Sequence, residues 1–218
     1  PGLDASWERS LRNVIDSLRG RSVPQPTPQP TVAAADGLAA VRALPKTMHD
    51  DFEEDLGDWT NEFPATLGAV YEQGALILAE NGPYSGWCLR QDDAAQVDDF
   101  LLEVDARHSG GPEYSFAAYL LFRYQDPDNY YLYEVDFGGR YMLERRDQGD
   151  WSSLVDNTEA GAIHTGENAS NRLGVLAQDG MIRLFVNGTP LAAVADPGRG
   201  QGADAGFIGL GIGTDQER

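Results

Sequence analysis

From Asp126 to Tyr141 the chain reads DPDNYYLYEVDFGGRY. Taken alternately, Tyr131, Tyr133, Val135 and Phe137 point one way, and Tyr130, Leu132, Glu134 and Asp136 the other. A two-residue period marks a pleated strand, whose successive side chains leave opposite faces. The first set is apolar and aromatic, so it belongs to a core; the second leaves Tyr130, Glu134 and Asp136 on the opposite face. Asp126 to Asn129 form the turn that enters the strand and FGGR the turn that leaves it. YMLERR then runs back, with Tyr141, Leu143 and Arg145 opposed to Met142, Glu144 and Arg146.

The same alternation extends in both directions. In FLLEVDARHS, Phe100, Leu102, Val104 and Ala106 share one face, and Leu101, Glu103, Asp105 and Arg107 the other. In YSFAAYLLFRY, Tyr114, Phe116, Ala118, Leu120, Phe122 and Tyr124 are read as one face, opposite Tyr119, Leu121 and Arg123. The run NRLGVLAQDGMIRLFVNGTPLAAVAD, residues 171–196, contains Asp179-Gly180 and Asn187-Gly188, pairs suited to tight hairpin turns with positive backbone angles. Three strands follow from it. AGFIGLGIGT reads as another strand whose glycines permit close packing or bulges. Short strands with turn signals between them predict an all-β, two-layer sheet fold.

Ahead of these strands the grammar differs. Leu3, Trp7, Leu11, Val14, Ile15 and Leu18 recur at helical spacing, and Gly20 ends the pattern. Residues 1–20 are therefore an amphipathic helix, either the tail of an upstream domain or a helix docked on the main one. Residues 21–45 are rich in proline and alanine and read as a linker, with one helical turn in LAAVRALP before Pro45. The β domain occupies residues 46–218.

The 35 acidic residues against 16 Lys and Arg give a formal net charge of -19, which disfavours attraction to nucleic acid or anionic lipid. The single cysteine, Cys88, excludes an intrachain disulfide and reads as a buried small residue. There is no apolar run of membrane-spanning length, so no membrane insertion is expected within this segment.

DDFEEDLGDW, FLLEVDARHSG, YLLFRYQDPDNYYLYEV, GDWSSLV, NRLGVLAQDGMIRLFVNGTPLAAV and GFIGLG, taken in order, resemble bacterial concanavalin A-like, laminin-G-like jelly-roll domains related to the 3-keto-disaccharide hydrolase family. The resemblance covers residues 49–214 and implies a two-sheet jelly-roll sandwich. It also implies a multidomain protein placed outside the cell or on its envelope. Members of that family often end in a further strand with an FDN-like sequence, which is not found before GTDQER, so a final strand is expected outside this chain. The family includes both hydrolases and non-catalytic sugar-binding modules.

If the sheets curve as the resemblance implies, Glu103, Asp105, Arg107, Tyr119, Arg123, Glu134 and Asp136 are candidates to line one shared concave face. An aromatic ring stacks on the apolar face of a sugar, while carboxylates and guanidinium groups orient its hydroxyls. Glycosidase chemistry needs two carboxylates across the scissile bond, and Glu103 with Glu134 or Asp136 is the candidate pair. Laminarinase-like sandwiches carry an ExDxxE pattern on one strand. Here His108 stands in the last acidic place after Glu103 and Asp105, and Gly139 after Glu134 and Asp136, so no catalytic residue is assigned.

His49, His108 and His164 lack metal-ligand spacing. Asp126, Asp128 and Asn129, or Asp92, Asp93, Asp98 and Asp99, offer oxygen ligands for calcium without matching a calcium-loop grammar; no other cofactor is expected. The sequons at Asn168 and Asn187 are noted, the second being explained by its hairpin turn. Three functions are carried forward: a non-catalytic carbohydrate-binding or adhesion-like module, a carbohydrate-active hydrolase, and a structural or protein-interaction module. Glycan or another protein is the expected partner.

Overall fold

The computed structural model describes residues 38–80, 85–92, 95–96, 98–110 and 116–214. The helix expected over 1–20 and most of the linker lie outside the described residues. Residues 38–42 form the expected helical turn.

Thirteen strands follow among the described residues. They are β1 (Trp59–Asn61), β2 (Leu67–Tyr71), β3 (Leu76–Glu80), β4 (Gly86–Arg90), β5 (Phe100–Arg107), β6 (Phe116–Asp126) and β7 (Asn129–Asp136). The remainder are β8 (Arg140–Asp147), β9 (Asp150–Glu159), β10 (Ser170–Gln178), β11 (Met181–Val186), β12 (Thr189–Ala195) and β13 (Phe207–Thr214). All pair antiparallel.

Seven strands form one sheet in the order β1-β4-β13-β6-β7-β8-β9, four form a second in the order β12-β11-β10-β5, and β2-β3 is a separate hairpin. The all-β sandwich of jelly-roll type expected from the alternation is thus the observed fold. The hairpin lies on the same side of the large sheet as the four-stranded one, since Leu67 lies against Gly86, whose strand partner Ile212 shares the inward face with Ala118.

The main core fills the space between the layers. Ala118, Leu120 and Phe122 of β6 stand beside Val135, Tyr133 and Tyr131 of β7. Leu173 and Val175 of β10 and Ile182, Leu184 and Val186 of β11 face them from the second sheet, and Phe100, Leu102, Val104 and Ala106 of β5 pack alongside. Tyr133 is fully buried and its hydroxyl donates to the Phe185 carbonyl at 3.0 Å, joining the sheets through a satisfied polar group.

One parity expectation is overturned. Strict alternation places Tyr124 with Phe122 in the core and Arg123 outward. In the structure a bulge between Phe122 and Asp126 shifts the register, with Arg123 at φ 50°. The extra residue reverses the alternation. Arg123 therefore turns inward and is 1% exposed, while Tyr124 joins the outward side. Gly206 makes room for the bulge: a Cβ there would lie 2.4 Å from the Arg123 carbonyl carbon.

The turns follow their residue chemistry. Asp179-Gly180 and Asn187-Gly188 have φ of 55° and 71°, and 51° and 78°, the left-handed pairs that such hairpins need. Asn187 does more than turn. Its Oδ1 accepts from the Arg172 amide at 2.8 Å, and its Nδ2 donates to the Ala162 carbonyl at 2.9 Å and to Asn171 Oδ1 at 2.8 Å. Asn171, 2% exposed, also exchanges hydrogen bonds with the His164 backbone in both directions.

Candidate functional site

The seven expected ligand residues do not share one face. β5 lies in the four-stranded sheet, and Glu103, Asp105 and Arg107 point outward from it, since Phe100, Leu102, Val104 and Ala106 point in. Tyr119, Glu134 and Asp136 lie on the outward side of the seven-stranded sheet, on the far side of the sandwich. Two stacked sheets are about 10 Å apart, and outward side chains on them diverge. Glu103 consequently cannot flank a single bond with Glu134 or Asp136.

Each residue of the β5 group already has an intramolecular partner. Glu103 takes a bidentate pair from Arg42, with Arg42 Nη2 to Oε1 at 2.5 Å. That contact pins the helical turn, whose Leu38 and Val41 pack on Leu101, Leu176 and Phe185. Asp105 receives Arg172 Nε at 2.7 Å and Nη2 at 2.5 Å, and hydrogen bonding from this guanidinium lowers its carboxyl below the usual range. Arg107 donates to Asn168 Oδ1 at 2.8 Å.

Arg123 belongs to neither outer face. It forms a buried ion pair with Asp196, and its Nη2 donates to the Asp98 carbonyl at 3.2 Å.

The outward side of the large sheet can be mapped from its register. One row runs Trp87, Gly211, Tyr119, Glu134 and Met142 across β4, β13, β6, β7 and β8. The next runs Leu89, Gly209, Leu121, Leu132, Glu144 and Ser153, ending on β9. The glycines of β13 decide its relief. Lacking side chains, they let neighbours fold over the strand: a Cβ on Gly211 would lie 2.8 Å from Trp87 Cβ, and one on Gly213 would overlap the Tyr119 hydroxyl. Tyr119 thus lies down over β13 towards Ser85, 3.3 Å away, and is 5% exposed. It does not stand out from the sheet as a stacking platform. Asp136 closes the β7–β8 turn by accepting the Arg140 amide at 2.7 Å.

At the opposite end of this face the aromatic residues gather. Tyr130 is flanked by Trp87, Tyr124 and Trp151, each with its ring centroid 5.6 Å away. Trp151, on the edge strand β9, keeps 45% of its surface exposed, and the Arg146 guanidinium lies over it at 5.5 Å. Beside this pair is a cleft of about 170 Å³ bordered by Gln125, Asn129, Arg145, Arg146, Gln148 and Gln201. Arg123 and Tyr131 form its floor. Arg145 lies 5.8 Å from the Tyr131 ring and pairs with Asp147 at 3.2 Å.

Sequence reasoning left Arg145 and Gln148 out of the cleft and did not foresee the aromatic cluster around Trp151. The signal was available in the order of the chain, because the Asp147–Asp150 hairpin and the Asp126–Asn129 turn sit at the same end of adjacent hairpins.

The expected oxygen ligands are engaged locally. Asp126 Oδ1 accepts the Asp128 amide at 2.8 Å, and Asn129 Nδ2 donates to both its oxygens, while Arg146 contacts Asp128 at 3.2 Å. Asp98 and Asp99 both receive Arg199 Nη1 at 2.6 Å, and Asp92 receives Arg90 at 2.7 Å; Asp93 lies outside the described residues. Among the described residues, no three His, Cys, Asp or Glu side chains converge to hold a metal. His108 is packed between Phe116 and Phe137, with ring centroids 5.8 and 5.2 Å away. Among the described residues, no helix is long and apolar enough to cross a membrane.

No family model matches the chain, and no curated protein matches it; the resemblance to the 3-keto-disaccharide hydrolase family therefore stands only at the level of the sandwich. Solved structures share that sandwich. The carbohydrate binding module CBM66 from Bacillus subtilis aligns with a TM-score of 0.55 at 18% identity, over 72% of this chain and 91% of that one. A Bacillus subtilis protein of unknown function with a galectin-like fold aligns with a TM-score of 0.50 at 11% identity, over 75% of this chain and 87% of that one. At such identities the likeness is one of fold, and this chain is an all-β sandwich of the same two-sheet kind as both.

Proposed function

We propose that this domain is a non-catalytic carbohydrate-binding module that holds a sugar in the cleft between Arg145, Asn129 and Gln148. The observation that carries the reading is the polar cleft of about 170 Å³ in which Gln125, Asn129, Arg145 and Gln148 converge above Tyr131. A sugar ring has one apolar face and a polar edge. Amide and guanidinium groups can orient the hydroxyls of the second. Such sites combine an apolar wall with a few convergent polar groups. The sandwich shared with a protein named as a carbohydrate binding module supports the reading by analogy of fold.

Of the residues expected from sequence, Arg123 enters this site as its floor, whereas Glu134 and Asp136 lie on the outward side of the large sheet, away from it. The separation of Glu103 from Glu134 favours binding over hydrolysis. The module would work where polymeric glycans occur, outside the cell or in its envelope.

The test is calorimetry against a panel of neutral and acidic oligosaccharides, using wild type, Gln148→Ala and Arg145→Ala. Saturable binding that weakens at least about tenfold in each variant, as expected for losing about 1.4 kcal/mol of contact, supports the proposal. A wild type that binds no glycan in the panel rejects it, and release of reducing ends would favour the hydrolase instead.

A further inference from the structure

The outward side of the seven-stranded sheet is the wrong composition for a surface facing water. Leu89, Leu121, Leu132 and Tyr130 point away from the sandwich core, yet are 0, 0, 2 and 3% exposed, and Met142 beside them is 8% exposed. The described strands of the second layer lie on the opposite side of this sheet. Among the described residues Trp87 and Phe207 pack against this cluster, with Phe63 edge to face on Trp87 at 4.6 Å. We propose that residues 1–20 of the same chain dock as an amphipathic helix across this face, over Leu121, Leu132 and Met142.

Three features fit this occupant. Length is the first: an α-helix rises 1.5 Å per residue, so residues 3–18 span about 24 Å. Seven strands spaced about 4.8 Å apart make a sheet about 29 Å across. The helix can therefore cross most of the face with its stripe of Leu3, Trp7, Leu11, Val14, Ile15 and Leu18 turned down.

Charge is the second. Arg12 and Arg19 fall on one flank of that stripe, seven positions and about 10.5 Å apart, with Glu8 on the same flank and Arg9 on the far side. On the sheet, Glu134 pairs with Met142 and Glu144 with Leu132, so the two carboxylates are diagonal neighbours among the apolar side chains.

Reach is the third. The described chain begins at Leu38, packed on the outer side of the four-stranded sheet with Leu176 and Phe185. Residues 21–37 must then pass round the sandwich. Extended in polyproline geometry at about 3.1 Å per residue, they cover about 50 Å, enough to round a domain whose two sheets lie about 10 Å apart. A proline repeat disfavours regular structure, and the Arg42–Glu103 pair fixes the described chain just after it.

The contact does not depend on the cleft binding sugar. Ser10 lies on the flank away from Arg12 and Arg19, so the full chain carrying Ser10→Cys with a nitroxide label keeps the docking stripe intact. Cys88 is buried and does not compete for the label. The methyl signals of Met48, Met142 and Met181 then serve as reporters. Docking predicts loss of most of the Met142 signal, a smaller effect on Met181, and recovery of Met142 when Trp7→Asp and Leu11→Asp are added. Independence from protein concentration supports the intramolecular contact. Loss seen only when labelled chains are mixed with unlabelled, isotope-enriched ones would assign the face to a second copy and overturn the proposal. An unchanged Met142 signal would overturn it as well.

Discussion

Arg123 and Asp196 meet inside the sandwich as an ion pair whose side chains are 1% and 0% exposed. The Tyr131 hydroxyl donates to the same carboxylate at 2.6 Å, and the Gly198 amide donates to it at 3.0 Å. The strand bulge that turns Arg123 inward creates a buried charge, and the loop after β12 supplies its counter-ion. The same arginine and tyrosine form the floor of the cleft, so the pair holds the loop that forms one wall.

Removing one member of this pair should be costly, because the other remains as an uncompensated buried charge. Asp196→Ala is expected to lower unfolding stability by about 3–5 kcal/mol, measured by urea denaturation. Replacing both Arg123 and Asp196 with apolar residues of similar volume should recover most of that loss. Burial alone would raise the Asp196 carboxyl, but hydrogen bonds from Tyr131 and Arg123 outweigh it and leave the group below its ordinary value. The sign follows: this stabilisation is complete above the unfolded value of about 3.9 and is lost as pH falls below it through the folded value. Wild type should show this acid-side loss and Asp196→Asn should not.

Glu80 has the opposite behaviour. It ends β3 opposite Leu67, both its carboxylate oxygens are buried without a hydrogen bond, and burial pushes its carboxyl up to about 7. Below the unfolded value both states are protonated and nothing is lost. As pH rises from about 4.3 through the folded value, the unfolded chain ionises first and stability falls. Glu80→Gln should therefore gain about 1–2 kcal/mol over wild type at pH 8, allowing for partial solvent screening, and little at pH 4. Urea midpoints across that range would show it; equal curves for the two proteins would refute it.

Gly206 is required by a backbone rather than by a side chain. A Cβ there would press on the carbonyl carbon, Cα and oxygen of Arg123 at 2.4, 2.7 and 2.8 Å. None of these atoms can rotate aside. Gly206→Ala should cost about 3 kcal/mol, at the upper end of overpacking penalties, whereas Gly200→Ala meets no atom within 4 Å and costs only the strain of its φ of 71°. Thermal denaturation of the two variants would separate these effects.

Cys88 is 1% exposed, and burial, aided by the Glu62 carboxylate, raises its thiol to about 11. The thiolate is the reactive species. At pH 8 the native protein should resist iodoacetamide, and labelling should track the unfolded fraction in urea. Fast labelling of native protein would contradict the burial.

How far these features could be read from sequence depends on whether they are local. The Tyr131, Tyr133, Val135 alternation and the Asp-Gly and Asn-Gly turns are local, and they predicted strands and hairpins that the structure contains. The facing of Arg123 is not local. It depends on one bulged residue, which reverses everything after it, and nothing in LLFRYQD announces the bulge except the glycine, eighty-three positions later, that accommodates it.

The candidate site suffered from the same limit at larger scale. Period-two reading showed that Glu103 and Glu134 both point outward, but each from its own sheet. Outward has two meanings in a sandwich, and only strand order, which places β5 beside β10 and β7 beside β6, distinguishes them. Trp151 was missed because its value comes from Tyr130 and Arg146 across two strand pairings, information that no single window of sequence contains.

The position of β13 has a consequence for how the chain is made. It is the last described strand in sequence, yet it lies between β4 and β6 in the interior of the large sheet. Until residues 207–214 leave the ribosome, the edges of β4 and β6 stand open, with β1 and β4 stranded from the rest of their sheet. Such exposed edges invite pairing with other chains. Closing the sheet late, over long sequence separations, is also slow. The nascent protein must therefore wait as two incomplete half-sheets, and its yield during synthesis will depend on how quickly one glycine-rich segment, small enough to slide between them, completes the join.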